Sequence, residues 1–491
     1  MYVTSGADNG VEALDAANGT LKWAFTPTLG VTELCCGHIN RGVAVEGSKV
    51  FYATLDARLI ALDARTGHVI WQRQIDDPRS GLSETMAPLV WSGIVFIGSS
   101  GGELGIRGSV SAYRARDGSL LWRWWSVSPG WEGRYVSSVH GVSLHRDIAT
   151  EKRDAKSRRD AWRHGGGPVW MTPALDERTA TLYVSTGNPS PDYRPDLRPG
   201  DNLYTDSIVA LDARTGKMRW YYQETPHDPG DHDAASPPVL LDVRSPGGRM
   251  AAVAEAGKTG WLYIVNRRDG SLIRVSQNFV PQDDVYVHVP LTGATVRPGT
   301  LGGAIAPISY DADLHLAFIE ATDLPQWINP TRGDLAGDYE GGQVGQSVRG
   351  DNFVVAVNVD TGKVAWRQQL TGGHNWMLGG SASLGDLVFA SDPFGALEAL
   401  DARDGTLLWR YEIGANSGDV LATFSEKIHD FLARIKRALL GRPASTSAYV
   451  SAPPICYEVG GREFVAVTAD VAPGRRSGGD AIFTFALPAQ R

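Results

Sequence analysis

A chain of 491 residues with 42% hydrophobic and 21% charged residues can bury a large core, which excludes a disordered segment or a small stapled scaffold. Its formal net charge of −8 argues against a nucleic-acid partner, since phosphate backbones select basic faces. No run reaches the roughly 18 apolar residues that span a bilayer, and 57 Gly and 27 Pro without a short period punctuate many turns, so the chain reads as all-β.

In chain order, one cassette recurs: Leu14-Asp15-Ala16-Ala17-Asn18-Gly19 with Trp23, Leu62 to Gly67 with Trp71, Tyr113 to Gly118 with Trp122, and Leu211 to Gly216 with Trp220. It continues as Val265 to Gly270 without a Trp, Val357 to Gly362 with Trp366, and Leu400 to Gly405 with Trp409. A period of roughly 50 residues, doubled in two gaps, marks a repeat architecture. Each unit predicts two β-rich runs, a turn in which Gly takes positive φ and Asp bonds backbone N–H groups, and a strand carrying the Trp. An indole is too large for one sheet to bury, so these tryptophans are expected to wedge between neighbouring four-stranded units as scaffold.

Between the cassettes lie residues with chemistry. Cys35 and Cys36 are adjacent, and read alone they are either two buried small hydrophobes or a ring with a task. Ile97 to Gly105 runs into Ser-Ser-Gly-Gly, whose exposed N–H groups suit carboxylate oxygens, while Glu103 adds a hard oxygen donor. Asn188, in Ser185-Thr186-Gly187-Asn188-Pro189, is read alone as a turn residue. Residues 226–233, Pro-His-Asp-Pro-Gly-Asp-His-Asp, are the densest polar cluster, and Asp-x-Asp in an extended segment puts Asp231 and Asp233 on one face. Apolar residues at helical spacing from Val420 to Leu440 predict an amphipathic helix, packed on the rim or docking a membrane surface or partner through 420–440.

The Asp-x-x-(Thr/Asp)-Gly-x-x-x-Trp cassette resembles the tryptophan-docking motif of pyrroloquinoline-quinone (PQQ) propellers, and residues 33–42 resemble a vicinal-disulfide segment of PQQ-dependent alcohol dehydrogenases. The resemblance implies one eight-bladed β-propeller domain over 1–491, with a helical insert at 418–445, an incomplete first blade, and an upstream strand and secretory signal lost from a periplasmic enzyme. It implies that Cys35 and Cys36 cap the quinone as a disulfide, that Arg41 pairs its carboxylates, and that Thr85, Ser100, Gly101 and Gly102 contact it. Trp170, in Gly165-Gly166-Gly167-Pro168-Val169-Trp170, is implied as its floor, and Arg267 as the cation near its carbonyls. Pro168 stands where the methanol enzymes carry Thr. Gly302 to Pro307 lacks the family's Asn-Trp, and Asn375 with Trp376 are expected to substitute.

The resemblance further implies a metal held by Glu103, Asn188, Asp231 and Asp233, with Asp231 as base. Asp233 matches the lanthanide enzymes, although some sugar dehydrogenases share it, and its added charge favours a lanthanide over calcium. The implied partners are a small alcohol and a soluble cytochrome c or quinone acceptor. The competing expectations are a non-catalytic assembly scaffold built on the same repeat and a degenerate dehydrogenase unable to hold PQQ. Convergence of Cys35, Cys36, Trp170 and Asp231 around one axis discriminates the enzyme from the scaffold.

Overall fold

The computed structural model describes residues 1–5, 8–31, 34–331, 337, 339–345, 350–370, 379–392, 395–413, 437–440, 448–449, 452–471 and 480–486. Their strands form eight antiparallel sheets in chain order, at 2–25, 44–74, 89–125, 174–223, 239–275, 309–369, 381–412 and 437–486. The first has three strands, the next six have four, and the last has five. Two small sheets are added, one pairing Ser138–Val139 with Val142–Ser143 and one of three strands within 294–344. The chain is thus a β-propeller whose first sheet is one strand short, as the resemblance implies.

The cassette turns explain how the sheets interlock. In the second sheet Asp63 Oδ1 accepts the N–H groups of Arg65 (3.1 Å) and Thr66 (2.9 Å), and Gly67 N–H reaches Asp63 O at 2.8 Å. Gly67 sits at φ +74°, and a Cβ there would lie 2.6 Å from Trp23 Cε3 of the preceding sheet. Trp23 Nε1 in turn donates to Ala64 O at 3.0 Å. The same pair of contacts recurs for Trp71 with Ala115 O, Trp122 with Ala213 O, Trp220 with Arg267 O and Trp366 with Ala402 O. Each ring faces the turn glycine of the next sheet, at Gly118, Gly216, Gly270 and Gly405. Only a residue without a side chain leaves room for the indole, so the Gly and the Trp one sheet back form one joint.

The last sheet meets the first, where Tyr457 Oη donates to Ala16 O at 3.2 Å, and it meets the seventh, where Trp409 packs against Phe485 with ring centroids 5.0 Å apart. The strand Tyr2–Thr4 pairs with Val11–Leu14 and, among the described residues, has no partner on its other edge. The expected helix at 420–440 lies mostly outside the described residues. Its last four residues correct that expectation, because Arg437–Leu440 is a strand paired with Asp480–Ala486. There a closing sheet offers backbone partners that override helical periodicity.

Strand alternation decides where the loops go. In a four-stranded antiparallel meander, the connection from the second to the third strand and the connection to the next sheet leave the same end. The cassette turns, from third to fourth strand, leave the opposite end. Glu103, Asn188 and Lys258 lie in second-to-third connections of the third, fourth and fifth sheets. Cys35, Cys36, Arg41, Thr85, Trp170, Asp231, Asp233 and Thr300 lie in connections between sheets. All are therefore delivered to one face.

Candidate active site

Two groups of side chains meet on that face. In the first, Cys35 and Cys36 form a disulfide, and Glu103 offers a carboxylate oxygen within 4.8 Å of both sulfurs. Cys35 Sγ lies 3.4 Å from Ser83 Oγ. Ser83 and Ser100 exchange backbone hydrogen bonds of 3.1 and 2.9 Å, which ties the disulfide loop to the Gly-rich turn. Thr85 Oγ1 is 2.7 Å from Ser100 Oγ and accepts from Arg41 Nη1, also at 2.7 Å. The Arg41 guanidinium stacks 4.9 Å above the Trp170 ring. Burial pushes Arg41 down to about 10, and among the described residues no carboxylate pairs with it. A protein-enclosed guanidinium without a counter-anion, over an indole face and beside a row of hydroxyls, fits a flat, carboxylate-bearing ligand such as PQQ.

The second group is acidic. Lys258 Nζ bridges Asp231 Oδ1 at 2.7 Å and Asp233 Oδ2 at 2.6 Å. Asp233 Oδ1 accepts Asn188 N–H at 2.8 Å, and Thr300 Oγ1 donates to Asp231 Oδ2. The loop is shaped by Asp228, which accepts from Gly230 N–H (3.0 Å), His232 N–H (2.7 Å) and His232 Nδ1 (2.5 Å). Burial alone would raise the Asp228 carboxyl, but His232 and these bonds hold it below the usual range. The two acids do face one point, yet the backbone reason differs from the expected extended segment. Asp231 is left-handed, at φ +65°, and the turn rather than strand alternation aims it.

Further contacts lock the loops together. Gly167 N–H reaches Asn188 O at 2.8 Å, Gly187 N–H reaches Pro168 O at 2.7 Å, and Ser190 Oγ donates to Gly102 O at 2.8 Å. Glu103 keeps accessible surface while protein surrounds it on nearly every side, so it lines an internal recess. Burial raises its pKa; its own N–H opposes this, and the charge of Asp233 adds to it. Burial likewise pushes Asp231 well up, against the pull of Lys258 and with the push of Asp233. Lys258 is raised in spite of burial, because two carboxylates grip it.

Glu103, Asp231, Asp233 and the Asn188 amide offer hard oxygen donors with excess negative charge, the chemistry of a Ca²⁺ or lanthanide site. They are not drawn into one cage: among the described residues only Cys35, Cys36 and Glu103 bring three His, Cys, Asp or Glu ligand atoms within 4.8 Å of one another. Lys258 occupies the position between the two aspartates.

Arg267 is the correction. Its guanidinium lies 3.7 Å from Asp176 and 3.4 Å from Asp242, in a cassette turn on the opposite face from the cluster. The basic residue against the acids is Lys258, in Gly257-Lys258-Thr259-Gly260. Its sequence signal was position: the third and fourth sheets each place a site residue in the second-to-third connection, and Lys258 is the fifth sheet's counterpart. Thr300 was also missed, having no motif of its own. In the Gly302 to Pro307 stretch, Gly303 approaches the Lys258 backbone so closely that a Cβ would collide with it, and Ala304 is fully buried. The expected substitutes Asn375 and Trp376 lie outside the described residues.

Residues 1–291 match the family model of the glucose/ethanol/alcohol dehydrogenase β-propeller domain, and residues 292–429 match the outer membrane protein assembly factor BamB. The chain is 30% identical over 453 residues to quinoprotein alcohol dehydrogenase PedH of Pseudomonas putida, covering 84% of this chain and 73% of that protein. It is 33% identical over 451 residues to quinohemoprotein alcohol dehydrogenase ADH IIB of Pseudomonas putida, covering 86% of this chain but 63% of the relative. Among solved structures, a europium-containing methanol dehydrogenase superposes with a TM-score of 0.78 at 25% identity, covering 99% of this chain and 89% of that one. The chain belongs to the family of PQQ-dependent alcohol dehydrogenases, oxidoreductases that act on CH–OH groups.

Proposed function

We propose that this chain, as one propeller domain, oxidises an alcohol to the aldehyde, with Asp231 as the base. The observation that carries the reading is the juxtaposition of an unpaired Arg41 on Trp170, the Cys35–Cys36 disulfide and Glu103 at the disulfide. Arg41, the disulfide, Trp170 and the Thr85–Ser100 hydroxyls would hold PQQ, and Glu103, Asn188, Asp231 and Asp233 would hold the metal. When bound, PQQ is the two-electron acceptor and the metal a Lewis acid that polarises one of its carbonyls.

The residues of the chain handle the proton and the geometry. Asp231 presents Oδ2 beside Thr300 and Oδ1 against Lys258, so its orientation is fixed from both sides. Its raised pKa, set by burial and Asp233, makes it a stronger base than a solvated carboxylate. Lys258 offsets charge that Asp233 adds beside it. The stacked Arg41 and the disulfide stand on one side of the site.

Excess carboxylate charge favours a trivalent over a divalent ion. We therefore propose a lanthanide, in keeping with the europium-containing relative, and a periplasmic enzyme with a cytochrome c or quinone acceptor. Protein reconstituted with PQQ and either calcium or lanthanum should reduce an artificial dye with short alcohols. Asp233→Ala should abolish the lanthanum-dependent rate and spare the calcium-dependent one; no turnover with either ion in the unmodified protein removes the proposal.

A further inference from the structure

Asp192 is a buried carboxylate within reach of the charge of Asp231 that the reading so far does not use. It lies in the second-to-third connection of the fourth sheet, four residues past Asn188, and is 3% exposed. Its Oδ1 has no hydrogen-bond partner among the described residues. The loop is built to hold it there. Arg198, without accessible surface, donates to the backbone carbonyls of Pro191 at 2.9 Å and Asp192 at 2.8 Å, and leaves the carboxylate itself unpaired.

The two charges that act most on Asp192 are those of Asp231 and Glu103. The adjacent Tyr193 lies against Thr300, whose hydroxyl donates to Asp231 Oδ2. Asp231 therefore has two sides: Lys258 and Asp233 at Oδ1, and Thr300 with Tyr193 at Oδ2, with Asp192 within reach of its charge. Burial and the two like charges push the Asp192 carboxyl upward. An unpaired buried carboxyl is costly, and such groups are retained where a ligand completes them.

Resting on the dehydrogenase reading, we propose that Asp192 hydrogen-bonds a second hydroxyl of the substrate, so that the alcohols this site selects are vicinal diols and related polyols rather than simple alkanols. A hydroxyl donates to the carboxyl oxygen that lacks a partner. An alkyl group at the same place leaves the Asp192 oxygen buried and unpaired.

The test compares kcat/KM for 1,2-propanediol and 1-propanol in the reconstituted holoenzyme, for the unmodified protein, Asp192→Asn and Asp192→Leu. The ratio cancels any change at Asp231 that acts on every alcohol alike. The unmodified protein should favour the diol by at least about 100-fold, and Asp192→Leu should lower that preference by about 100-fold, within the range set by losing a polar substrate contact. Saturating diol should raise the Tm of the unmodified holoenzyme and not of Asp192→Leu. Both substitutions remove an unpaired buried carboxyl, so neither should lower the Tm of the free protein. Should a variant still fail to fold, the ratio in the unmodified protein decides: a value near 1 overturns the inference. Preference for 1-amino-2-propanol over the diol also overturns it, in favour of an ammonium. Turnover of no alcohol removes the dehydrogenase reading and this inference together, whereas turnover without diol preference removes the inference alone.

Discussion

Lys258→Met separates charge from packing at the centre of the site. Met keeps an unbranched apolar side chain of similar length, so the loss is chiefly the ammonium. That ammonium lies 2.7 Å from Asp231 Oδ1 and 2.6 Å from Asp233 Oδ2, and none of the three side chains is more than 12% exposed. Breaking a buried ion pair by removing one partner costs about 3–5 kcal/mol, because the remaining charge stays out of water. With an unfolding entropy of about 2.1 cal/mol/K per residue, roughly 1 kcal/mol/K for this chain, the Tm should fall by about 3–5 °C.

The loss should also depend on pH. Without the ammonium, Asp231, which burial already pushes up, stays buried by taking up a proton. The folded variant then binds more protons than the unfolded chain, and its stability falls as pH rises. Differential scanning calorimetry of metal-free protein at pH 5, 6.5 and 8 should therefore show the gap to the unmodified protein widening upward. Millimolar lanthanum or calcium should narrow that gap, since an ion that binds only the folded state restores charge balance. Equal Tm values at pH 8 without metal refute the electrostatic argument, and a deficit that ignores pH assigns the effect to packing.

At the joint between sheets, Gly67→Ala places a Cβ 2.6 Å from the Trp23 ring at φ +74°. The left-handed strain and overpacking together should cost about 2–4 kcal/mol in urea unfolding. Arg41→Ala should weaken PQQ binding, read by quenching of tryptophan fluorescence, by at least about tenfold for one lost charged contact. Arg267→Ala, on the other face, should leave that affinity unchanged. Burial, with the charge of Asp233, pushes Glu255 up to about 8. A carboxyl so raised is protonated in the fold, and its stabilising effect is full below the unfolded pKa and lost as pH rises through the folded one. Glu255 by itself should contribute a loss of about 3–5 kcal/mol between pH 4.5 and 8 in metal-free protein. Glu255→Gln, which keeps an acceptor for the Ser236 N–H now bonded at 2.8 Å, should make the slope shallower by that share in equilibrium unfolding at stepped pH.

Whatever is local or periodic in this chain was legible before any folding. Asp63 to Gly67 encodes its own turn, because the hydrogen bonds and the positive φ involve five consecutive residues, and the recurrence of that turn with a Trp announces the propeller. Adjacent cysteines and the Asp231–Asp233 pair were equally legible as candidates, since their neighbours in sequence remain their neighbours in space. Arg267 and Lys258 were not separable that way: both are basic residues in short connections of the same sheet, nine positions apart. The parity of strands separates them, for one connection follows the second strand and the other the third, so they leave opposite ends of the sheet. Asp192 was silent for a related reason. Its meaning lies in what fails to reach it, and only packing of the 188–202 loop around Arg198 decides that a carboxylate four residues from Asn188 is buried without a partner within reach of the charge of Asp231.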